Sequence, residues 1–317
     1  MISTLEITNF KSVKHLTLDC KRVNVLIGEP NAGKSNILEA LGLLSFAYYY
    51  FGIALRDFVR FERTSNLFYD ENLDEGLQVK FDGDGLDFEF ANGAFRGRWQ
   101  KTGEVLLQGG HGDLNVSIRH GVFAPFKLYR FAVVPFDRPE SEFLLPPNGR
   151  NLLSLLMAHR SLRSVVNNLL VPFGLKLGLR PQEGKVEIVK HFEDVIISHP
   201  YSLLSDTLQR VIFHLSAIMS NKDSVIALEE PESHTFPYYT KYLAETIALD
   251  DRGNQFFVTT HNPYFLLPLL EKCPREEIAV FVTYFRDYQT LVKPLTDADL
   301  AELSELDVFS NLDRFLD

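Results

Sequence analysis

The sequence predicts an α/β fold with a mostly parallel core sheet, an antiparallel β lobe and a helical subdomain. Three observations carry this. Val23–Ile27, Ser224–Leu228 and Gln255–Thr259 are short, nearly continuous apolar runs that end abruptly in polar residues, as strands buried on both faces do. Residues 65–138 instead alternate apolar and polar side chains in short stretches (Leu77–Phe81, Leu86–Phe90, Leu114–Ile118) broken by turns such as Asp82-Gly83-Asp84-Gly85, the texture of an antiparallel sheet. Leucine and valine at helical spacing over 147–172, and again from about Ser205 to Met219, predict helices.

Each remaining element follows from its pattern. Residues 2–8 and 15–20 alternate around Lys11-Ser12-Val13-Lys14 and predict a hairpin. Helical spacing of Ile37, Leu38, Ala40, Leu41 and Leu44 predicts a helix beginning at Lys34. Lys185–Val189 is a brief β-like segment, and His234–Leu249 is helical. Ile278–Phe285 and Thr290–Leu295 predict a closing hairpin, and Thr296 caps a last helix over Asp297–Leu303. Divided by texture, 1–138 is an N-terminal lobe, 139–220 a helical lobe and 221–317 a C-terminal lobe of one unit.

Bulk composition limits the function classes. The chain has 317 residues, 45% hydrophobic and 23% charged, so a packed core is expected and disorder is not. A net charge of −10 disfavours non-specific nucleic-acid binding by the whole surface. Arg150, Arg160 and Arg163 form either a local basic patch or ordinary solvated helix charges. Cys20 and Cys273 lie far apart without zinc-site spacing, which fits free thiols in a reducing cytoplasm. The chain does not open on a signal-peptide pattern, and the apolar run Leu41–Leu55 falls short of the roughly 20 residues a membrane span needs, so no membrane partner is expected.

Chemistry enters at Gly28-Glu29-Pro30-Asn31-Ala32-Gly33-Lys34-Ser35, which matches G-x-x-x-x-G-K-[ST] at every defined position. Glycine lets the backbone approach a phosphate, the loop amides and helix N-terminus donate to its oxygens, Lys34 adds charge, and the Ser35 hydroxyl suits magnesium. A buried strand before it and a helix after it are the context this phosphate loop requires, so the fold is that of a P-loop NTPase. Val225–Leu228 ends in Glu229 and Glu230: the first is placed to support a metal, the second to act as the base that polarises water. His261, after the strand run Phe256–Thr259, is a candidate sensor of the γ-phosphate. Asn221-Lys222-Asp223-Ser224 superficially imitates a guanine-reading N-K-x-D, but its Asp comes one position early and precedes a strand.

Together these motifs resemble the ATP-binding-cassette (ABC) ATPases of the RecF/SMC/OLD branch, particularly the OLD-like AAA ATPases. The similar stretches are Leu5-Glu6-Ile7-Thr8-Asn9-Phe10-Lys11-Ser12, Gly33–Leu41 including Asn36, Leu228–His234 followed by Pro237, and Thr259-Thr260-His261-Asn262-Pro263. The resemblance covers both ends of the chain and little of the middle. It implies an ABC-type ATPase head that binds ATP and Mg2+ and forms an ATP-dependent homodimer, acting with a separate effector protein or nucleic acid in defence or DNA repair. It also implies a signature helix at Leu204-Ser205-Asp206-Thr207-Leu208-Gln209-Arg210, with Ser205 reaching the γ-phosphate bound by the other copy; read locally, Ser205 is an ordinary N-cap. The chain departs from the pattern in lacking the signature glycine, in carrying Glu229 where many relatives have Asp, and in offering no convincing Gln for the magnesium-sensing loop. These departures keep open a non-hydrolysing nucleotide-binding regulatory module; a transporter energy subunit fits the motifs less well. No heptads lie between Ser35 and Glu229, so an SMC-like coiled-coil arm is not expected. OLD proteins carry a Toprim nuclease domain after the ATPase; this sequence ends at Asp317, so any nuclease is expected on another polypeptide.

Overall fold

In the computed structural model, residues 1–110, 114–136, 140–303 and 312–315 are described. The chain begins with the hairpin β1 (Thr4–Phe10) and β2 (Val13–Asp19), then β3 (Val23–Ile27), the long helix α1 (Lys34–Tyr49) and the single turn α2 (Leu55–Phe58). Next come β4 (Leu77–Phe81), β5 (Asp84–Ala91), β6 (Ala94–Trp99), β7 (Val105–Gly109), β8 (Leu114–Val116) and β9 (Phe126–Tyr129). Helices α3 (Leu152–Ala158) and α4 (Arg160–Leu170) precede β10 (Lys176–Arg180), β11 (Lys185–Phe192) and β12 (Val195–Pro200). After them run α5 (Asp206–Ser220), β13 (Val225–Glu229), α6 (Pro237–Ala248), β14 (Gln255–Thr259), α7 (Pro263–Lys272), β15 (Ile278–Arg286), β16 (Gln289–Pro294) and α8 (Asp297–Leu303).

The central sheet has the order β16-β15-β3-β14-β13-β9, parallel except for the β15–β16 hairpin. Its central strands β3, β14 and β13 have no solvated face. Along β3, Val23, Val25 and Ile27 enter one apolar core while Leu26 enters the other; in β14, Phe256 and Val258 face the first and Phe257 the second. The two-residue period of a strand thus divides one apolar run between two cores, which is why the sequence shows no alternation there. Helix α1 packs on one side of this sheet and is buried around most of its circumference. A seven-stranded antiparallel sheet, β2-β1-β4-β5-β6-β7-β8, closes the same core. On the opposite side lie α3 to α7 and a three-stranded antiparallel sheet, β10-β11-β12.

Two readings of the sequence need correction. Residues 126–129, expected in the antiparallel lobe of 65–138, instead form β9, which pairs in parallel with β13 at the edge of the central sheet. The isolated segment expected at Lys185–Val189 is the middle of the three-stranded sheet, whose outer strands are half-exposed and carry a weak pattern. Residues 111–113 and 137–138 of that lobe, with the boundary drawn at 138/139, lie outside the described residues.

Candidate functional site

The parallel strands end on one edge of the sheet, and the chemistry collects there. From β3 the chain turns through Gly28 (φ 154°), Asn31 (φ 62°) and Gly33 (φ 96°) into α1. Two of these positions require glycine. A Cβ on Gly28 would sit 2.1 Å from the Thr283 carbonyl oxygen, and one on Gly33 would sit 1.9 Å from Thr290 Oγ1. The back of the loop is therefore packed directly on β15 and β16. Lys34 Nζ donates to the carbonyls of Gly28 and Glu29, both at 2.8 Å, and so folds over the loop. Burial lowers the Lys34 pKa, partly offset by Glu230 and Glu29, which favour the charge. No side chain caps the N-terminus of α1. Its first amides are the orphan donors that a phosphate satisfies, so the loop fits a triphosphate. Asn36 Nδ2 donates to Ser12 Oγ at 2.6 Å, and Ser12 Oγ shares a hydrogen bond with Thr290 Oγ1 at 2.6 Å.

The second and third strand ends carry Glu229, Glu230 and His261. Glu230 has φ 41°, a left-handed conformation that costs an L residue roughly 1–2 kcal/mol. Its amide donates to Thr259 O at 3.2 Å and Thr259 Oγ1 at 3.1 Å, which anchors the turn to β14. Its carboxylate accepts from Ser233 Oγ at 3.1 Å, and its Oε1 lies 3.1 Å from His261 Nδ1. The structure thus brings Glu230 and His261 into direct contact, and the charge of Glu230 acts on Lys34.

Glu229 is engaged differently. Its Oε1 accepts from Arg60 Nη2 at 3.1 Å and its Oε2 from Arg130 Nη2 at 3.4 Å. Both arginines also pair with Glu39, at 2.7 and 2.9 Å, and Glu39 bonds Lys11 as well. Burial opposes the charge on Glu39, but Lys11, Arg60 and Arg130 outweigh it and hold the carboxyl below its usual range. Sequence reasoning missed this network. One signal was available: Glu39 is a carboxylate inside the otherwise apolar stretch Ile37–Leu44. Ser35 and Glu229 offer the hard oxygen donors magnesium takes, so the donor set fits that ion, which must compete with two guanidinium groups for Glu229.

Ser205 stands apart from these residues. It caps α5 by accepting from the Leu208 amide at 3.4 Å, beside an apolar groove lined by Phe173, Leu175 and Leu203. Helix α5 still touches the acidic turn, since Thr207 Oγ1 donates to His234 O at 2.7 Å. Of the three arginines singled out, Arg163 caps the carbonyl of Leu156 at 2.8 Å and Arg150 donates to Phe51 O at 3.2 Å. Asn221 is fully buried, bonding Tyr129 and Lys127, so it reads no base. No helix among the described residues is long and apolar enough to cross a membrane.

Residues 23–267 match the protein family described as "AAA domain, putative AbiEii toxin, Type IV TA system". Over 47 residues the chain is 45% identical to the DNA replication and repair protein RecF of Moorella thermoacetica and 43% identical to that of Staphylococcus epidermidis. These matches take in 14% of this chain and only 13% of the length of those relatives. An uncharacterized protein of Methanocaldococcus jannaschii is 33% identical over 102 residues, 29% of this chain and 45% of that one. Among solved structures, an SMC head bound to the C-terminal winged-helix domain of ScpA superposes with a TM-score of 0.58 at 15% identity, over 94% of this chain and 99% of that one. An SMC head with an extended coiled coil, bound to the C-terminal domain of ScpA derived from Pyrococcus furiosus, gives 0.55 at 14% identity, over 96% and 98%. At such identities the likeness is one of fold. The chain belongs to the AAA-domain family that residues 23–267 match, and it has the fold of the SMC heads.

Proposed function

We propose that the chain binds ATP with magnesium, hydrolyses it slowly with Glu230 as general base, and works as an ATP-gated homodimeric switch for a separate effector or nucleic acid. The reading is carried by the Glu230–His261 contact of 3.1 Å at the sheet edge that also bears Lys34. Gly28–Gly33 and the amides of α1 hold the phosphates, with Asn36 beyond them. Lys34 neutralises the β- and γ-phosphates. Ser35 and Glu229 would hold magnesium, which would supply positive charge against the phosphates. Glu230 takes a proton from the attacking water, and His261 donates toward the γ-phosphate. Ser205, at the start of α5, faces the nucleotide bound by the second copy, and the Thr207–His234 bond relays docking to the acidic turn. In this reading residues 1–317 form one head working in the cytoplasm, divided into the lobes 1–138, 139–220 and 221–317.

The test is light scattering of Glu230→Gln with and without Mg-ATP, beside phosphate release by the parent chain. Conversion of monomer to dimer only with ATP, and loss of phosphate release in the variant, support the switch. Unchanged mass despite ATP binding removes it. A second reading, a nucleotide-binding module without turnover, is favoured by one observation: Glu229 is occupied by Arg60 and Arg130. Absence of phosphate release from the parent at any magnesium concentration selects that reading.

A further inference from the structure

Behind the Glu230–His261 pair lies a carboxylate that the reading above does not use. Glu232 is 3% exposed. Its Oε1 accepts from the Thr260 hydroxyl, while its Oε2 has no hydrogen-bond partner. The backbone amides of Glu232 and His261 add favourable interactions with its charge. Burial nevertheless pushes its pKa up to about 7, and Glu230 pushes in the same direction. A buried carboxyl met by a hydroxyl and amides, with one oxygen unpaired, is costly to keep.

Its connections show what it joins. On one side, the Glu232 carbonyl accepts from Thr235 Oγ1 at 2.6 Å, and Thr235 shares a hydrogen bond with Thr240 of α6 at 2.7 Å. On the other, Thr260 Oγ1 accepts from the Asn262 amide at 3.0 Å, and Asn262 Oδ1 caps α7 by accepting from Tyr264 N at 2.9 Å. Glu232 thus rivets the turn after β13 to the turn after β14. Glu230 rides on the first turn and His261 on the second.

We propose that Glu232 is a positioning residue whose buried carboxyl clamps the Thr260–His261 backbone against the Glu230 turn and so sets the Glu230–His261 contact used in hydrolysis. The proposal rests on the hydrolytic reading for its kinetic consequence and on the structure for its geometric one. An ordinary structural carboxyl would affect stability and nucleotide binding alike. A positioning carboxyl acts on turnover and on the His261 environment, and it tolerates a substitution that keeps the acceptor.

The experiment uses the full chain carrying Glu232→Ala or Glu232→Gln. Three quantities are read: Mg-ATP affinity by calorimetry, steady-state phosphate release, and the displacement that Glu230→Gln causes in the His261 ring proton resonance. For Glu232→Ala the expected result is a kcat lower by roughly tenfold or more, ATP affinity within about twofold of the parent, and loss of the His261 response. Glu232→Gln, whose amide oxygen still accepts the Thr260 hydroxyl, restores most of both. The proposal is overturned if Glu232→Ala keeps parental turnover and the parental His261 response. It is equally overturned if Glu232→Ala loses ATP affinity and thermal stability together and Glu232→Gln recovers neither. Should the parent release no phosphate, the hydrolytic reading falls, and the His261 response alone decides for or against the rivet.

Discussion

At the scale of single residues, the acidic turn stores opposing demands. Glu232 is raised from an ordinary 4.5 to about 7 by burial, so its neutral form favours the folded state. That contribution is complete below the usual carboxylate range and is lost as pH rises through about 7, for at most roughly 3 kcal/mol. Thermal unfolding of Glu232→Gln should therefore match the parent at pH 5 and exceed it at pH 8; parallel melting curves at both values would contradict this. Gly33→Ala makes a second residue-scale prediction. Its φ of 96° strains any side chain, and the new methyl would strike Thr290, so ATP affinity should fall at least about tenfold. Retained affinity by calorimetry would show that the β16 contact yields. At this scale the turn from β3 through Gly28 and Gly33 into α1 was legible, because its motif is written in consecutive positions. The partners of Glu39 and Glu229 were not, because Arg60 is separated from them by 21 and 169 positions. Nothing local in a sequence states which distant guanidinium will fold back.

At the scale of elements, α1 both carries the end of the G-x-x-x-x-G-K-[ST] motif and anchors the charge network. Glu39 is buried on it and balanced by three cations. Glu39→Ala leaves the buried Lys11 without its carboxylate and both arginines with Glu229 alone, and should cost about 3–5 kcal/mol in urea unfolding. A loss below about 1 kcal/mol would mean that water replaces the carboxylate. Arg60, half-exposed, links this network to Glu229. Arg60→Ala should lower the magnesium concentration needed for half-maximal ATP binding severalfold by releasing Glu229 from one competitor. An unchanged magnesium requirement would mean that Arg130 holds that carboxylate unaided. The parallel strands were legible as elements because their apolar runs are short and end at polar tips. The neighbour of β13 was not: β9 joins it across the sheet with only four residues, and its assignment depends on pairing rather than pattern. Likewise β10 and β12 present few buried residues, so they showed little of the periodicity that marked β4 and β5.

At the scale of the whole molecule, two apolar cores share one sheet as their common wall. Disturbance of β3, β13 or β14 reaches both, whereas the three-stranded sheet is attached by one face and exposes Phe192, Val195 and Ile196. Amide hydrogen exchange should accordingly be slowest in the three central strands and fastest over 192–198, with several kcal/mol between them. Uniform protection would show the small sheet to be part of the same cooperative unit. The head architecture was legible from the terminal motifs, which lie on the shared wall. The middle of the chain, which supplies the small sheet and the helices beneath it, had no motif to declare its arrangement.

The position of β3 between β14 and β15 has a practical consequence for dissection of the chain. The family match begins at residue 23 and stops at residue 267, ahead of β15 and β16. A fragment trimmed to those limits would keep every phosphate-loop residue and yet strip one flank of Val23-Asn24-Val25-Leu26-Ile27. An apolar ribbon with unpaired amides and carbonyls is a template for sticking to its own kind. The shortened protein should precipitate where the longer one stays in solution, and the loss would be one of colloidal behaviour before it was one of chemistry.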